Sequence, residues 1–594
     1  MTIEEKLHEL RRIMVREDIY AYIISGTDPH QSEYLPSTWQ QRNWFSGFTG
    51  SFGTVVVTEK EAGLWTDSRY FIQAEKELKN SGIKLHKLRV PGAVDFPEWL
   101  SENVPSGENV GFDEFCTSKA LADNLKNLLN KKDIKAIGKH DLLGEFWIER
   151  PGLPENKIFT LDKSYTGEST SEKLARVREF LYQNNADYIL FSELDDIAWL
   201  YNFRGNDIEY NPVAICYAFV GKDTAKIFIK KNKVPKQVAE EFSDLDIEIV
   251  DYHHVGLFID ELNKESKICL DYYALNFAIY NKFANKCSVI NIKSPIKLWK
   301  SIKNPVEIQG FKAAFIKDGV ALTKFYHWLE SELKIRSISE LEAEEKLIEY
   351  RKEQSEYMGD SFHYISAYGK NAASPHYTAS SKQFSMLENK GLFLMDSGAH
   401  YKHGTTDITR TISLGELTKL EREDYTLVFK GMINLSNAVF LEGTLGTNLD
   451  ILARQFLWRY KRNYGHGTGH GVGYFLNVHE GPQELRMSYK NQAFIPGMIT
   501  SNEPGMYREN MYGIRHENLN LCIKEGENEF GSWLAFEPLT LCYFDTLPLV
   551  MELMDKSEIE WLNRYHKNVF DKISPYLDED DKNWLKEKTK AIYY

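Results

Sequence analysis

Asp396, Asp407, His470, Glu503 and Glu517 are five potential metal ligands, and all of them fall within the last two hundred residues of the chain. Each sits in a short glycine-rich or alternating segment: LFLMDSGAHYKHGTTDITRTISLG, YGHGTGHGVGYFLNVHEGP, ITSNEPGMY and YGIRHENLNLC. Four carboxylates and one imidazole are what a pair of divalent cations needs. Two cations bridged by carboxylates can hold a hydroxide at neutral pH and clamp a developing oxyanion, so the chemistry to expect is hydrolysis. The donor set is hard and oxygen-rich, which favours Mn²⁺ or Co²⁺ over a thiolate-type zinc site.

Taken singly, each residue has a plainer reading. Asp396 ends an apolar strand, and Asp407 follows eleven residues later. Alternation puts Asp407, Thr409 and Thr411 on one face, with Ile408 and Ile412 on the other, so a short hairpin would set the two aspartates side by side. On spacing alone, two ordinary turn aspartates are the better reading. His466 and His470 are four apart, but glycines interleave with them and each costs a helix about 1 kcal/mol against alanine. A tight loop or irregular strand is expected, with at most one of the two histidines on a metal. VHEGPQ resembles the start of a zinc-protease helix and fails as one, because Gln483 stands in the second histidine position and Pro482 would break the helix. His479 alone reads as a buried, hydrogen-bonded histidine. Arg515, Glu517 and Leu519 share a face, so Arg515 could orient the carboxylate from behind. The case rests on the five together.

Elements must position these groups. The chain has 594 residues, too many for one hydrophobic core, and two to four domains are expected. MTIEEKLHELRRIMVRED reads as an amphipathic first helix with Leu7, Leu10 and Met14 on one face, and it lacks the apolar stretch of a signal peptide. Short buried strands are expected at 20–26, 53–58 and 63–66, and a helix feeding a strand begins near Ser171. The openings at Met1 and Ser171 hint at two related units, joined by the Pro- and Gly-rich ERPGLPENKIFTLDKSYTGEST. Long helices are expected at about 305–332 and 338–355, then alternating strands at 390–414 and 497–523, then amphipathic helices from about 552. The reading is a multidomain α/β and α+β chain divided at 1–155, 156–300 and 301–594, with a C-terminal extension from about 534.

The formal net charge is −14 and no long Lys/Arg cluster occurs, which disfavours nucleic-acid binding. No stretch reaches the length of a membrane span. Six cysteines are scattered singly and read as inert core thiols in a reducing, cytoplasmic setting. The run Lys230–Lys233 reads as a solvated loop, and Trp199 as a core or interface aromatic.

HGTGHGVG…LNVHEGP, DSG…GTTDITRT, EPGMY and GIRHEN together resemble the pita-bread metallopeptidases, specifically the aminopeptidase P (Xaa-Pro aminopeptidase) family. GFTGSFGTVVVT…GLWTDSRYFIQA resembles that family's first creatinase-N-like α/β domain, LDDIAWLYNFRGNDIEYNPV its second, and WLNRYHKNV the C-terminal extension of its long, three-domain form. The resemblance implies that Asp396 binds one metal, that Asp407 and Glu517 bridge both, and that His470 and Glu503 complete the other. It implies two divalent ions, Mn²⁺ with Zn²⁺ or Co²⁺ as alternatives, and cleavage of the first residue from peptides with proline second. A bridging hydroxide would attack, Glu503 would be the general base, His376 the proton shuttle and His479 the stabiliser of the carbonyl oxygen. His466, Tyr507 and Arg42 match positions associated with substrate contact, and a homodimer is implied. The chain departs from the family pattern at His403, where an acidic residue is common, at His400, and at Met506. Prolidase-type dipeptidases share the ligand set but lack the long N-terminal region. Creatinase-like hydrolases and non-catalytic binding modules on this fold have lost the ligands, which are all present here.

Overall fold

The computed structural model describes residues 1–593. They form two compact units, one of residues Met1–Lys163 with Glu168–Ile296, the other of Ser164–Gly167 with everything from Lys297 onward. The chain passes from the first unit to the second at Ile296–Lys297, and both N-terminal sheets lie in the first unit.

The first unit opens on helix α1 (Ile3–Arg16), started by a reciprocal Thr2–Glu5 capping box. Leu7, Leu10 and Met14 are buried as the periodicity requires. Its first sheet has strands β1 (Ala21–Ile24), β2 (Thr54–Thr58), β3 (Ala62–Thr66), β4 (Lys84–Lys87), β5 (Asn109–Asp113) and β6 (Lys135–Lys139), in the order β4-β3-β2-β1-β5-β6. Helix α2 (Thr170–Gln183) begins the second half, whose strands are β7 (Tyr188–Phe191), β8 (Cys216–Gly221), β9 (Ala225–Ile229), β10 (Ile247–Val250), β11 (Lys267–Leu270) and β12 (Ser288–Asn291). Their order is β10-β9-β8-β7-β11-β12. In both sheets the first strand is antiparallel to the second and the second to the third. The third–fourth, first–fifth and fifth–sixth pairs are parallel. The repeat hinted at by the two helix–strand openings is thus a duplicated topology.

One sequence reading changes in this unit. Lys233 is buried and paired with the buried Asp207, so the Lys230–Lys233 run is not simply a solvated loop. Arg42 is buried too, and its guanidinium donates to the carbonyls of Gly50, Ser51 and Gly53. Burial lowers its pKa to about 10. These bonds from Nη1 and Nη2 fix the FTGSFG loop, while Nε is buried without a hydrogen-bond partner among the described residues. Trp199 is a core aromatic, with the Lys173 ammonium 4.0 Å from its ring centre. All six cysteines are free and buried.

The second unit begins with the long helix α3 (Pro305–Glu332), whose start combines the Asn304–Glu307 capping box with proline in the first turn. Helix α4 (Glu340–Lys352) follows. A three-stranded sheet, β13 (Ile365–Tyr368), β14 (Leu392–Ser397) and β15 (Ile408–Ser413), carries the first ligands. Helix α5 (Lys419–Ser436), strand β16 (Val439–Leu441) and helix α6 (Gly446–Arg459) lead to β17 (Gly469–Gly471), β18 (Glu480–Leu485), β19 (Ile499–Asn502), the hairpin β20 (Gly505–Arg508) and β21 (Tyr512–Arg515), then β22 (Asn518–Asn528) and β23 (Gly531–Pro538). The large sheet runs β16-β23-β22-β19-β17-β18. Helices α7 (Lys556–Ile573) and α8 (Glu579–Lys588) close the unit, with Trp561, Leu562, Tyr565 and Leu585 joining the core that α5 supplies. Among the described residues no helix is long and apolar enough to cross a membrane.

Candidate metal centre

Antiparallel pairing of β14 with β15 sets Asp396 opposite Thr409, so Asp407 arrives beside Asp396 just before β15 begins. His470 lies on β17, Glu503 directly follows β19, and Glu517 lies between β21 and β22. One donor atom each from Asp407, His470 and Glu517 lies within 4.8 Å of the others. His470 Nε2 stands 3.6 Å from Asp407 Oδ2 and 3.5 Å from Glu503 Oε1. Its Nδ1 is 2.9 Å from the Gly471 carbonyl, which can only accept, so the ring proton sits on Nδ1 and Nε2 keeps its lone pair for a cation. His466 does not join this cluster. Its Nε2 is 2.8 Å from the Tyr507 hydroxyl.

The donor set fits divalent cations. Asp396 Oδ1 and Glu517 Oε1 are buried and, among the described residues, have no hydrogen-bond partner. Burial first, and then the neighbouring carboxylates, push Asp407 and Glu517 well above the usual carboxylate range. Glu503 is pushed up to about 7, chiefly by burial. Acidic groups gathered out of water repel one another unless cations sit between them.

Arg515 opposes that charge and ties the ligands together. It donates to Asp396 Oδ2, to Tyr507 Oη at 2.6 Å, and through Nε to Thr409 Oγ1 at 3.1 Å. Thr409 in turn donates to Glu517 Oε2 at 2.9 Å. Arg515 Nη2 also lies 3.5 Å from the Pro375 carbonyl, one residue before His376. That approach is close because β21 runs against this loop: a Cβ on Gly513 would stand 1.8 Å from the Ala372 carbonyl oxygen. The His376 loop is held from its other side by buried Glu340, which accepts from Tyr377 Oη, Asn371 Nδ2 and the Tyr368 and Ser385 amides.

Several supports carried no sequence signal of their own. Arg410, on the opposite face of β15 from Thr409, is 1% exposed. It donates to the carbonyls of Glu517, Tyr543 and Cys542, to Asn518 Oδ1 and to Tyr565 Oη, so the C-terminal extension is bolted to the strands bearing Asp407 and Glu517. Ser501 Oγ donates to Glu503 Oε1 at 3.3 Å and accepts from the His470 amide at 3.0 Å. His516 is wholly buried among Tyr425, Phe429 and Phe544, and burial holds its pKa well below the usual histidine value.

His479 lies next to the ligands, its ring 4.4 Å from that of His470 and edge-on. The departures lie elsewhere. His400 Nδ1 is 3.0 Å from Thr405 Oγ1. His403 Nδ1 stands 2.8 Å from Glu356 Oε2, which Lys317 also contacts, and neither histidine belongs to the ligand cluster.

Comparison with known proteins bears on the whole chain. Residues 309–524 match metallopeptidase family M24, and 532–592 match the C-terminal region of peptidase M24. Residues 6–141 and 149–307 each match a creatinase/prolidase N-terminal domain. A probable Xaa-Pro aminopeptidase P of Tuber melanosporum is 38% identical over 99% of this chain and 99% of its own. Aminopeptidase P2 of Arabidopsis thaliana is 38% identical over 100% of this chain and 89% of its own. The crystal structure of an X-prolyl aminopeptidase from Caenorhabditis elegans, described as a cytosolic enzyme with a di-nuclear active site, superposes with a TM-score of 0.95 at 34% identity over 100% of both chains.

Proposed function

Because the chain belongs to metallopeptidase family M24, as an Xaa-Pro aminopeptidase of the long aminopeptidase P form, we propose that it releases the first residue from peptides with proline second through the site at Asp396, Asp407, His470, Glu503 and Glu517. The observation that carries this reading is the convergence of Asp407, His470 and Glu517 donor atoms within 4.8 Å, with Asp396 and Glu503 beside them. Asp396 would hold one cation, His470 and Glu503 the other, and Asp407 and Glu517 both. Two divalent cations there supply Lewis acidity and lower the pKa of the attacking water.

The protein's own groups do the rest. Glu503, steadied by Ser501 Oγ, takes the water's proton as general base. His479 offers a ring N–H to the carbonyl oxygen as negative charge develops on it. Proline's nitrogen has no hydrogen in the peptide and must gain a proton to leave, and His376 delivers it. Tyr507 and His466, joined at 2.8 Å, form a polar wall for the peptide. Mn²⁺ is the proposed metal on the hard donor set. A cytoplasmic setting is proposed, supported by the buried free cysteines and by the cytosolic description of the Caenorhabditis elegans relative, and a homodimer is proposed on the family resemblance alone.

The test is hydrolysis of Arg-Pro-Pro against Arg-Pro by protein loaded with Mn²⁺, Co²⁺ or Zn²⁺. Release of arginine from the tripeptide, lost together with metal binding in Asp407→Ala and Glu517→Ala, is expected. Cleavage of the dipeptide alone would make the protein a dipeptidase, and full activity in either alanine variant would remove the site assignment.

A further inference from the structure

Glu480, the residue after His479, is buried and faces two lysines. Lys303 donates to its Oε1 at 2.7 Å, and Lys300 Nζ stands 2.9 Å from Oε2. The three side chains are between 0 and 3% exposed. Burying two ammonium groups and a carboxylate is costly unless each is held in place by the others, so such a cluster fixes geometry tightly. Both lysines lie in the short segment where the chain begins its run through the second unit, immediately before the Asn304 cap of α3.

That segment is itself pinned to the site. The Lys303 amide donates to the Gly497 carbonyl at 2.9 Å, and Ile302 bridges Met498 just ahead of β19, the strand that delivers Glu503. Glu480 is paired with Gly471, the neighbour of the ligand His470. The approach is so tight that a Cβ on Gly471 would stand 2.3 Å from the Glu480 carbonyl oxygen. The backbone at 479–480 is therefore held on one side by the ligand strand and on the other by two buried ammonium groups.

We infer that Lys303, with Lys300, is a positioning residue for the reaction: through Glu480 it fixes His479 at the distance from His470 that carbonyl stabilisation requires. This rests on the role of His479 in the proposed function. Both ammonium groups close on Glu480, which is not one of the five ligands, so their removal should disturb turnover rather than metal loading. A displacement of about 1 Å at a catalytic group costs on the order of 100-fold in rate.

The experiment is a double-mutant cycle on metal-loaded enzyme, with Arg-Pro-Pro as substrate. Lys303→Met is expected to lower kcat by about 10- to 100-fold, with the Mn²⁺ loading midpoint unchanged and with most of the loss in kcat rather than KM. In a His479→Ala background the same substitution should lower kcat no further, because its effect passes through the missing imidazole. Lys303→Gln, which keeps an N–H donor, should recover part of the loss. If Lys303→Met does not fold, Lys300→Met decides, with a smaller loss that also vanishes in the His479→Ala background. Full turnover in Lys303→Met, or an equal loss with and without His479, would overturn the inference. Full activity in His479→Ala alone would instead remove the role assigned to His479 in the proposed function.

Discussion

Replacement of Arg515 by lysine separates orientation from charge at the metal centre. Arg515 is 3% exposed and makes four contacts: Asp396, Tyr507, Thr409 and the Pro375 carbonyl. Lysine keeps the positive charge and can still reach Asp396, but a single ammonium cannot span Thr409 and Tyr507 as the planar fork does. Two charge-assisted bonds, at 2.6 and 3.1 Å, are then lost. At about 1.5–3 kcal/mol each, these set a ceiling of about 3–6 kcal/mol. Disturbing groups that hold metal ligands from behind costs typically 10- to 100-fold in metal affinity or activity. That is about 1.4–2.7 kcal/mol, within the ceiling. Arg515→Lys is therefore expected to raise the Mn²⁺ midpoint for Arg-Pro-Pro cleavage by about 10- to 100-fold. Arg515→Met mixes two opposed effects. It frees Asp396 to turn, which weakens binding, but it also removes a positive charge from among carboxylates, which strengthens it. Two unit charges about 4 Å apart at an effective dielectric of 20 interact by roughly 4 kcal/mol, enough to mask the first effect. The methionine variant should accordingly bind metal more tightly than the lysine variant while turning over more slowly. Metal midpoints measured by activity and by calorimetry decide. A lysine variant with the parent midpoint would refute the claim that the fork orients the ligands.

Chelation should lower the thermal midpoint of the second unit, and restoring Mn²⁺ at 100 times its dissociation constant should return about 2.7 kcal/mol. Asp407→Ala should abolish that metal-dependent rise, and a persistent rise would place the metal elsewhere. His566 is fully buried, accepts from the Phe544 amide at 3.1 Å, and has its pKa lowered to about 3 by burial and then by Arg410. The unfolded histidine, at about 6.5, takes up a proton that the folded one refuses. Stability is therefore complete above about pH 6.5 and falls on acidification by about 1.4 kcal/mol per pH unit. Between pH 6.5 and 5 the parent should lose about 2 kcal/mol more than His566→Gln in urea melts, and parallel pH slopes would refute this. Gly431 of α5 faces α6 so closely that a Cβ would lie 2.3 Å from the Ala453 carbonyl oxygen. Alanine there gains about 1 kcal/mol of helix propensity, yet a clash with backbone costs about 1–3 kcal/mol. Gly431→Ala should lower the thermal midpoint, and a higher one would show that α6 can yield.

The ligand segments were legible because alternation and donor type are local. The period of TTDITRTI put Thr409 with Asp407, and in the structure Thr409 does face the site, donating to Glu517. Interleaved glycines ruled out a helix at HGTGH, and β17 with its preceding turn is what forms. The duplicated sheets were only hinted at, since identical strand order is a property of pairing between distant segments. Much of what escaped shares one cause. Arg42, Lys233, Lys303 and Arg410 are long cationic side chains, and sequence context describes their surroundings without saying where their charged ends stop. Arg42 finds three carbonyls a few residues away, in a loop whose shape the sequence does not specify. Lys303 reaches Glu480, 177 residues on, and Arg410 reaches Tyr565, 155 residues on. A carboxylate gathered with others announces a cation by its chemistry, whereas a lysine in KSIKNP announces nothing until the fold supplies its partner. It follows that the residues most in need of mutagenesis around this site are the buried cations behind the ligands, whose loss would move a catalytic group without removing one.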